Sequence, residues 1–198
     1  MKFFDKSGQA VSALSEFRDL REESFNSITF ADVDLSDTPL IKSRFSECIF
    51  KNVIMNYCRI ASATFDNCEF DNCEIQYSRA YSLKISDSSF KNCELSYTDF
   101  SNSKIQNSKF SNCEFGWTDL DEIYFSNCEV INTSFHNSSV RNASFTGLLQ
   151  NVDFSYVADW KTIRIEKANK SNVRYPDTGY FASNEQEYWD KRHTTDLF

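Results

Sequence analysis

Few side chains in this sequence are spaced for covalent chemistry. The chain has two histidines, His136 and His193, and neither has a nucleophile or a carboxylate at a spacing that indicates a catalytic triad. Only four glycines occur among the 198 residues, and they form no phosphate-binding loop. We therefore predict that both histidines are solvated, that the protein is not an enzyme, and that it holds no cofactor.

The seven cysteines share a spacing that argues against metal or disulfide chemistry. Each lies two residues before a multiple of five; they are Cys48, Cys58, Cys68, Cys73, Cys93, Cys113 and Cys128. No pair has the short C-x-x-C spacing of a zinc site, and an odd number of cysteines does not suggest a disulfide framework. We expect free thiols that serve as small buried apolar side chains, and no metal site.

Aromatic and acidic side chains that recur every 20 residues form the candidate interaction surface. They are an aromatic series (Tyr57, Tyr77, Tyr97, Trp117), a glutamate series (Glu74, Glu94, Glu114) and two aspartates (Asp99, Asp119). One interpretation is that stacked tyrosines protect a corner of the fold while the acids are merely solvated. The other is a docking strip, in which aromatic anchors lie within an acidic field that attracts a basic partner.

A ladder of apolar residues must position these side chains. Every fifth residue from Phe30 to Phe145 is apolar, which makes 24 consecutive positions, and the residue two places before each is mostly small. A period of five matches neither a helix face nor an alternating strand. It matches a chain that turns a corner every five residues, with one large and one small side chain inside, so that four units close a coil of 20 residues.

The 20-residue period is visible independently at the outward positions. Two residues after the ladder residues of one unit, asparagine recurs at Asn52, Asn72, Asn92, Asn112 and Asn132. The aromatic series occupies the same position of the next unit. Such stacks of like residues, one per coil and about 4.8 Å apart, are what a solenoid with strand-like spacing produces.

The five-residue unit resembles that of the pentapeptide-repeat proteins, which reads small, Asp/Asn or another polar residue, Leu/Phe, and then two polar residues. Residues 98–102 read Thr-Asp-Phe-Ser-Asn, and residues 68–72 read Cys-Glu-Phe-Asp-Asn. The resemblance covers residues 28–145 without a break. It implies an all-β fold, namely a right-handed quadrilateral (pentapeptide-repeat) β-helix solenoid; the handedness comes from the resemblance and not from the spacing.

The chain divides into three segments on this interpretation. We expect residues 1–25 to form an N-terminal cap (a hairpin over 2–11 and a helix over 13–23), since a solenoid end exposes unpaired backbone. Residues 26–149 would form about six coils. Residues 150–198 would form a distorted last coil and a C-terminal cap helix. This last segment could instead form a dimer contact, so a monomer and a C-terminal homodimer both stay open.

Charge narrows the classes of partner. The net charge of −8 argues against direct binding to nucleic acid, which requires a basic stripe. The sequence has no run of 18 apolar residues that would indicate a membrane span, and no apolar leader that would indicate a signal peptide. We therefore expect a cytoplasmic protein. The basic residues Arg44, Lys84, Lys104 and Lys109 are expected on sides of the coil away from the glutamates.

Two functions follow from the charge and the family resemblance, and both describe a non-enzymatic protein-interaction rod. The resemblance implies the first, because some pentapeptide-repeat proteins are acidic rods that resemble a DNA duplex and bind DNA gyrase or topoisomerase IV. The second is an interaction scaffold or secreted effector that docks another protein through the aromatic series.

Overall fold

The structure, a computed structural model, describes residues 19–176 together with the backbone of residues 3–4. Over residues 19–176 the chain winds into an all-β, parallel solenoid of about eight turns with almost no helix, which confirms the predicted β-helix. Each turn has four sides. We number them by their ladder residues: side 1 carries Leu40, side 2 Phe45, side 3 Phe50 and side 4 Met55, and each side recurs after 20 residues.

Sides 2 and 3 carry ladders of short parallel strands. The side 2 strands are β2 (Ser24–Asn26), β4 (Arg44–Ser46), β6 (Thr64–Asp66), β8 (Lys84–Ser86) and β10 (Lys104–Gln106). The side 3 strands are β3 (Thr29–Asp34), β5 (Ile49–Ile54), β7 (Glu69–Asp71), β9 (Ser89–Lys91) and β11 (Lys109–Ser111). The later coils use three longer strands, β12 (Tyr124–Ser134), β13 (Ser144–Asp153) and β14 (Ala168–Arg174).

The register of these strands explains the 20-residue period. Strand residues pair with the residue 20 positions later, as Phe70 does with Phe90, up to the start of β13. Sides 4 and 1 are joined more sparsely, by single parallel bridges such as Glu74 with Glu94 and Arg79 with Asp99. At the other end, β1 (Phe3–Phe4) pairs antiparallel with β3.

The corners are left-handed backbone positions. Two residues after each ladder residue the chain has a positive φ, and the 30 non-glycine residues with positive φ lie between 50° and 62°. A residue with a side chain loses roughly 1–2 kcal/mol in this conformation, and asparagine tolerates it best after glycine. This explains why asparagine is the commonest corner residue and why the chain turns every five residues.

The interior is a column of stacked apolar side chains. Phe50, Phe70, Phe90 and Phe110 stack face to face, with ring centroids 4.4, 4.3 and 4.7 Å apart. The predicted ladder residues are buried throughout, and the phenylalanines of side 2 meet those of side 3 edge to face. All seven cysteines are buried and free, as the spacing predicted.

The repeat loses one residue in the seventh coil, at Gly147. The pairing of β12 with β13 shifts between Phe125 and Cys128, and Cys128 faces Gly147. As a result Leu149 and Phe154 replace the expected residues 150 and 155 in the core, where both are buried. Gly147 has φ 109°, a conformation that disfavours any side chain.

The ends of the solenoid were predicted to carry an N-terminal hairpin, an N-terminal helix and a C-terminal helix. The helix predicted over residues 13–23 is wrong for residues 19–23, because Leu20 enters the core as a ladder residue and residues 21–22 form a corner. Phe3–Phe4 form a strand, but they pair with β3, and the predicted second arm of a hairpin lies outside the described residues. The predicted C-terminal cap helix also lies outside them.

The coils extend further than the six expected over residues 26–149. They begin with Leu20 and Phe25, and they end with Tyr175, which is buried against Trp160. Trp160 starts a single 3-10 turn, Trp160–Thr162, which distorts the last coil.

Candidate protein-docking surface

The predicted aromatic series is a stacked column on the corner between sides 4 and 1. We call Tyr57, Tyr77, Tyr97 and Trp117 the aromatic column. Their ring centroids are 5.2, 4.8 and 6.5 Å apart, and the rings are parallel within 10°. Between 47% and 58% of each side chain surface is exposed. The column therefore lies outside the core, as predicted.

The corner backbone explains why these rings point outward. Each residue of the aromatic column has φ between 54° and 59°. In successive coils the backbone bonds repeat: the Tyr97 N–H donates to the Gly116 oxygen and the Trp117 N–H to the His136 oxygen. The rings are therefore held at the coil repeat by backbone hydrogen bonds, and stacking adds about 0.5–1.5 kcal/mol for each pair.

A second corner, between sides 3 and 4, shows what the solenoid does without aromatic residues. There the predicted asparagine series forms a ladder of side-chain amides. Asn112 Nδ2 donates to Asn92 Oδ1 at 3.1 Å, and Asn132 Nδ2 donates to Asn112 Oδ1 at 3.1 Å. These residues satisfy one another and suit the left-handed backbone. The aromatic column gains neither advantage.

The predicted glutamate series lies on side 4, beside the aromatic column. Glu74, Glu94 and Glu114 follow one another in adjacent coils and are joined by parallel bridges. Within residues 19–176, the outward positions of side 4 carry five acids, Asp34, Glu74, Glu94, Glu114 and Asp153. The same outward positions also carry one cationic residue, Arg174, and one titratable base, His136. Side 4 is thus strongly acidic along most of its length.

Asp99 and Asp119 lie across the aromatic column, on side 1. The bridges place them in one line with Arg59 and Arg79 of the earlier coils. Side 1 is therefore basic in the early coils and acidic in the late coils, a division that the sequence reasoning missed. Burial raises the pKa of Asp119, and its carboxylate accepts a hydrogen bond from the Asp121 backbone N–H at 2.9 Å.

One acid near this surface is already neutralised. Asp121 is 8% exposed, and its carboxylate accepts hydrogen bonds from the Ser139 hydroxyl and from the backbone and guanidinium of Arg141. Burial raises the pKa of Asp121, but these hydrogen bonds outweigh it and leave the pKa below its usual value. Asp121 is therefore a structural ion pair.

His136 is half-buried against the preceding coil and not fully solvated. Its ring lies over Gly116, where an added Cβ would meet His136 Cε1 at 2.5 Å. His136 Nδ1 is 3.0 Å from Glu114 Oε1 and 2.9 Å from Ser134 Oγ. Burial raises the pKa of Glu114, and the smaller effects of His136 and Ser134 oppose it. The serine and the carboxylate share one ring nitrogen, whereas a catalytic triad needs them on opposite nitrogens.

The four basic residues expected away from the glutamates lie on sides 2 and 3, whereas Arg59 and Arg79 lie on side 1, next to the acidic side. Arg44, Lys84 and Lys104 are in one line on side 2, which is two corners away from side 4. Lys109 is on side 3, where it forms an ion pair with Glu129 at 2.8 Å. The cross-section is therefore polarised, as the sequence predicted.

One aromatic residue of this corner was missed. Tyr156 is 61% exposed and has φ 59°, and it occupies the corner one coil after Asn137, whose N–H donates to the Ser155 oxygen at 3.1 Å. The deletion at Gly147 moves this position from 157 to 156, so a strict count of 20 does not find it. The one-residue shift of Phe154 in the sequence was the signal that could have revealed this position.

All seven cysteines are buried inside the rod and offer no exposed thiol. Burial raises the pKa of Cys58 to about 12 and that of Cys128 to about 11. Both thiols donate to backbone carbonyls, Cys58 to Leu35 at 3.1 Å and Cys128 to Ile105 at 3.6 Å. They behave as small buried groups, and within residues 19–176 no cluster of three or more potential metal ligands occurs.

The repeat itself decides the family. A profile of a pentapeptide repeat region matches residues 63–124, and a profile of eight pentapeptide repeats matches residues 108–147. The chain belongs to the pentapeptide-repeat proteins. No curated protein matches it significantly. In the described part of this pentapeptide-repeat protein, no helix is long and apolar enough to cross a membrane.

Several solved pentapeptide-repeat structures are similar to it at low identity. A trypsin-treated form of QnrB1, a plasmid-mediated fluoroquinolone resistance protein, is 16% identical over 91% of this chain and 92% of that chain, with a TM-score of 0.49. HetL of the cyanobacterium Nostoc sp. strain PCC 7120, involved in heterocyst differentiation regulation, is 10% identical over 86% and 96%, with a TM-score of 0.32. A protein of the Arabidopsis thaliana thylakoid lumen is 14% identical over 64% and 68%, with a TM-score of 0.27.

Proposed function

We propose that this protein is a non-enzymatic rod that binds another protein through the aromatic column and the acidic side 4. The observation that carries this proposal is the exposure of four stacked aromatic rings at left-handed corners. At the equivalent corner between sides 3 and 4, asparagine provides a hydrogen-bonded ladder at lower backbone cost. Exposed aromatic surface that is not needed for folding is typical of a binding site.

The alternative is that ring stacking alone explains the column. Stacking returns about 0.5–1.5 kcal/mol per pair, which is similar to what each aromatic residue loses by adopting positive φ. The net gain for folding is therefore small. Roughly half of the surface of each residue is still exposed to water, so the larger gain in free energy comes when a partner covers that surface.

The charges around the column favour a basic partner. Glu74, Glu94 and Glu114 flank it on one side for three coils. On the other side Arg59 and Arg79 flank it in the early coils, and Asp99 and Asp119 flank it in the later coils, so the later coils are acidic on both sides. An acidic field of this kind accelerates association with a cationic surface and rejects acidic ones. The binding should therefore weaken as salt is raised, because exposed charges are screened within about 8–10 Å at physiological ionic strength.

A second candidate is that the rod imitates DNA and binds a type II topoisomerase, either DNA gyrase or topoisomerase IV. The net charge of −8 and the uninterrupted coils over residues 19–145 support it. The side 4 glutamates supply one charge per coil, about every 4.8 Å along the rod, and one DNA strand supplies one phosphate charge about every 3.4 Å along the helix axis. The basic line on side 2 would restrict the imitation to one side of the rod.

The first test is affinity capture from the source cell with matched variants. Tyr77→Asn, Tyr97→Asn and Trp117→Asn place in the column the residue that the other corners already use, so the backbone is respected. Tyr124→Thr is the control: it removes an exposed tyrosine from side 2 and installs the residue type of Thr64, which lies in the same line. A partner that survives the triple column variant as well as the control would exclude the column as the docking site.

The topoisomerase candidate has its own test. Supercoiling by purified gyrase is measured with the wild-type rod and with Glu74→Lys/Glu94→Lys. The candidate predicts an effect of the wild type that the side 4 variant loses and that Glu69→Lys, on side 3, retains. Unchanged supercoiling at micromolar rod would remove this candidate and leave the general docking proposal in place.

We also propose a cytoplasmic location. All seven cysteines are free and buried, and stacked pairs of thiols persist most readily in a reducing compartment. Fractionation of the source cell tests this directly, and recovery of the protein outside the cytoplasm would contradict it.

A further inference from the structure

The aromatic column is interrupted at one position and then resumes. Below Trp117 the corner residue is Asn137, and one coil further it is Tyr156. The backbone bonds Trp117 N to His136 O and Asn137 N to Ser155 O, both 3.1 Å, show that the three residues occupy successive coils of the same corner. A short amide therefore lies between two exposed aromatic residues, one 56% and the other 61% exposed.

This interruption has the dimensions of a slot for one flat group. Neighbouring rings of the column are 4.8–5.2 Å apart where tyrosine follows tyrosine, and 6.5 Å apart between Tyr97 and Trp117. Two coil steps thus separate Trp117 from Tyr156 by about 10 Å. A planar group placed midway would lie about 5 Å from each, which is within the distance of a cation–π or stacking contact. Asn137 is the corner residue of the coil between the two aromatic residues, and an amide oxygen can accept a hydrogen bond.

The surroundings of the slot are acidic. The charged groups on the elements packed around it are the acids Glu114, Asp119, Asp121, Asp153 and Asp159, and the bases Arg141, Lys161 and Arg174. Five negative and three positive charges leave −2 with His136 counted as neutral. Arg141 is held by Asp121, and Arg174 lies 3.6 Å from Asp153. Asp121 chiefly, and Asp159 and Asp119 to a smaller extent, raise the pKa of Arg141.

We propose that the slot receives an arginine side chain of the protein partner, an inference that rests on the proposed function. A guanidinium is flat, always charged and weakly hydrated, so it can enter between two rings and leave its edges to the acids and the Asn137 oxygen. A lysine ammonium is not flat and keeps its water more tightly. The slot thereby makes one end of the column a specificity site, while the stacked rings supply the remaining contact area.

The direct test uses small probes and does not need the partner. N-acetyl-arginine amide is titrated into the full-length protein, and the Trp117 indole N–H is followed by NMR, with the lysine and citrulline analogues as comparisons. Arginine should bind at least about fivefold more tightly than either, the factor that one cation–π contact of ordinary strength represents. If the citrulline analogue binds as tightly as the arginine analogue, the charge is irrelevant. If the lysine analogue binds as tightly, the planarity is irrelevant. Either result would overturn the proposal.

Two variants close or open the slot. Asn137→Tyr fills it with the residue type already found at this corner in four other coils, and Tyr156→Asn removes one wall. Both should weaken arginine binding by about fivefold or more, whereas the side 2 control Tyr124→Thr should not. A thermal melt establishes that each variant is folded, and if Asn137→Tyr does not fold, Tyr156→Asn decides. Unchanged arginine affinity in a folded slot variant would overturn the proposal.

The captured partner separates this inference from the docking proposal. If the slot is used, Asn137→Tyr weakens the partner even though it lengthens the aromatic column. If Asn137→Tyr leaves the partner's affinity unchanged or raises it while Tyr77→Asn lowers it, the column docks the partner and the slot proposal fails. If neither variant matters, both fail.

Discussion

Replacing Gly147 by alanine should place a methyl group inside the backbone of the preceding coil. An ideal Cβ at residue 147 would lie 2.2 Å from the Cys128 carbonyl oxygen and 2.7 Å from its nitrogen. Both neighbours are backbone atoms, so no side chain can move aside. The φ of 109° also disfavours any residue with a Cβ. The seventh coil must therefore move away from the sixth or change its register.

The size of the effect follows from these two terms. A non-glycine residue forced into a sparsely populated backbone region loses about 1–3 kcal/mol. Displacing the coil weakens at least two of the hydrogen bonds between β12 and β13, each worth about 1 kcal/mol. We expect a loss of about 3–5 kcal/mol in the free energy of unfolding. For a protein of this size, each kcal/mol lowers Tm by about 2–4 °C, so Tm should fall by about 10 °C.

Differential scanning calorimetry measures this, with Gly116→Ala as the matched control. There the added Cβ meets the ring of His136, which can rotate away, and the same position holds Asn56, Gln76 and Ser96 in earlier coils. The control should lose no more than about 1 kcal/mol. If Gly147→Ala has the same Tm as Gly116→Ala, the coil does not lose its residue at this point and our description of the last two coils is wrong.

Four other substitutions probe the core, the corners and the charge. Phe90→Ala, which removes a ring stacked between two others, should cost about 3–5 kcal/mol in urea unfolding, while Tyr97→Asn should stay within about 1 kcal/mol because relief at the corner offsets the lost stacking. Asn112→Ala breaks two amide hydrogen bonds of the ladder and leaves alanine at positive φ, so it should lose about 1–3 kcal/mol; a stability equal to wild type would mean that the ladder is incidental. Burial raises the pKa of Glu114, so the folded state binds this proton more readily than the unfolded state does. The ionised carboxylate therefore destabilises the folded state above the raised pKa. This destabilisation disappears as pH falls through the raised pKa toward the unfolded value of about 4.3. Stability measured from neutral pH down to about pH 4.3 should therefore contain a rise that Glu114→Gln abolishes, and identical pH profiles would contradict that sign.

Sequence periodicity was enough to predict the fold because the same constraint acts 24 times. A ladder residue such as Phe70 is buried whichever coil it belongs to, so the pattern does not depend on local propensity. The helix predicted over 13–23 fails at its end for the converse reason. Leu20 fits a helix face, but it also extends the ladder, and core packing decided between the two.

The candidate site was predictable only where it follows the period. Stacking of Tyr57 to Trp117 came directly from the spacing, whereas Tyr156 was displaced by the residue missing at Gly147. The contact between His136 and Glu114 depends on a neighbour in the previous coil, Gly116, lacking a side chain. Such pair effects between coils are visible only when the coils are aligned, because each position taken alone looks like an ordinary polar corner.

The most direct test of the docking surface is a calorimetric titration of the captured partner into wild-type protein, Tyr77→Asn/Trp117→Asn and Tyr124→Thr. Buried aromatic anchors at an interface each contribute about 2 kcal/mol or more, so the column variant should bind at least about thirtyfold more weakly, with a gap to wild type that persists at high salt. The side 2 control should bind as wild type does. Equal affinities of the column variant and wild type would contradict the account.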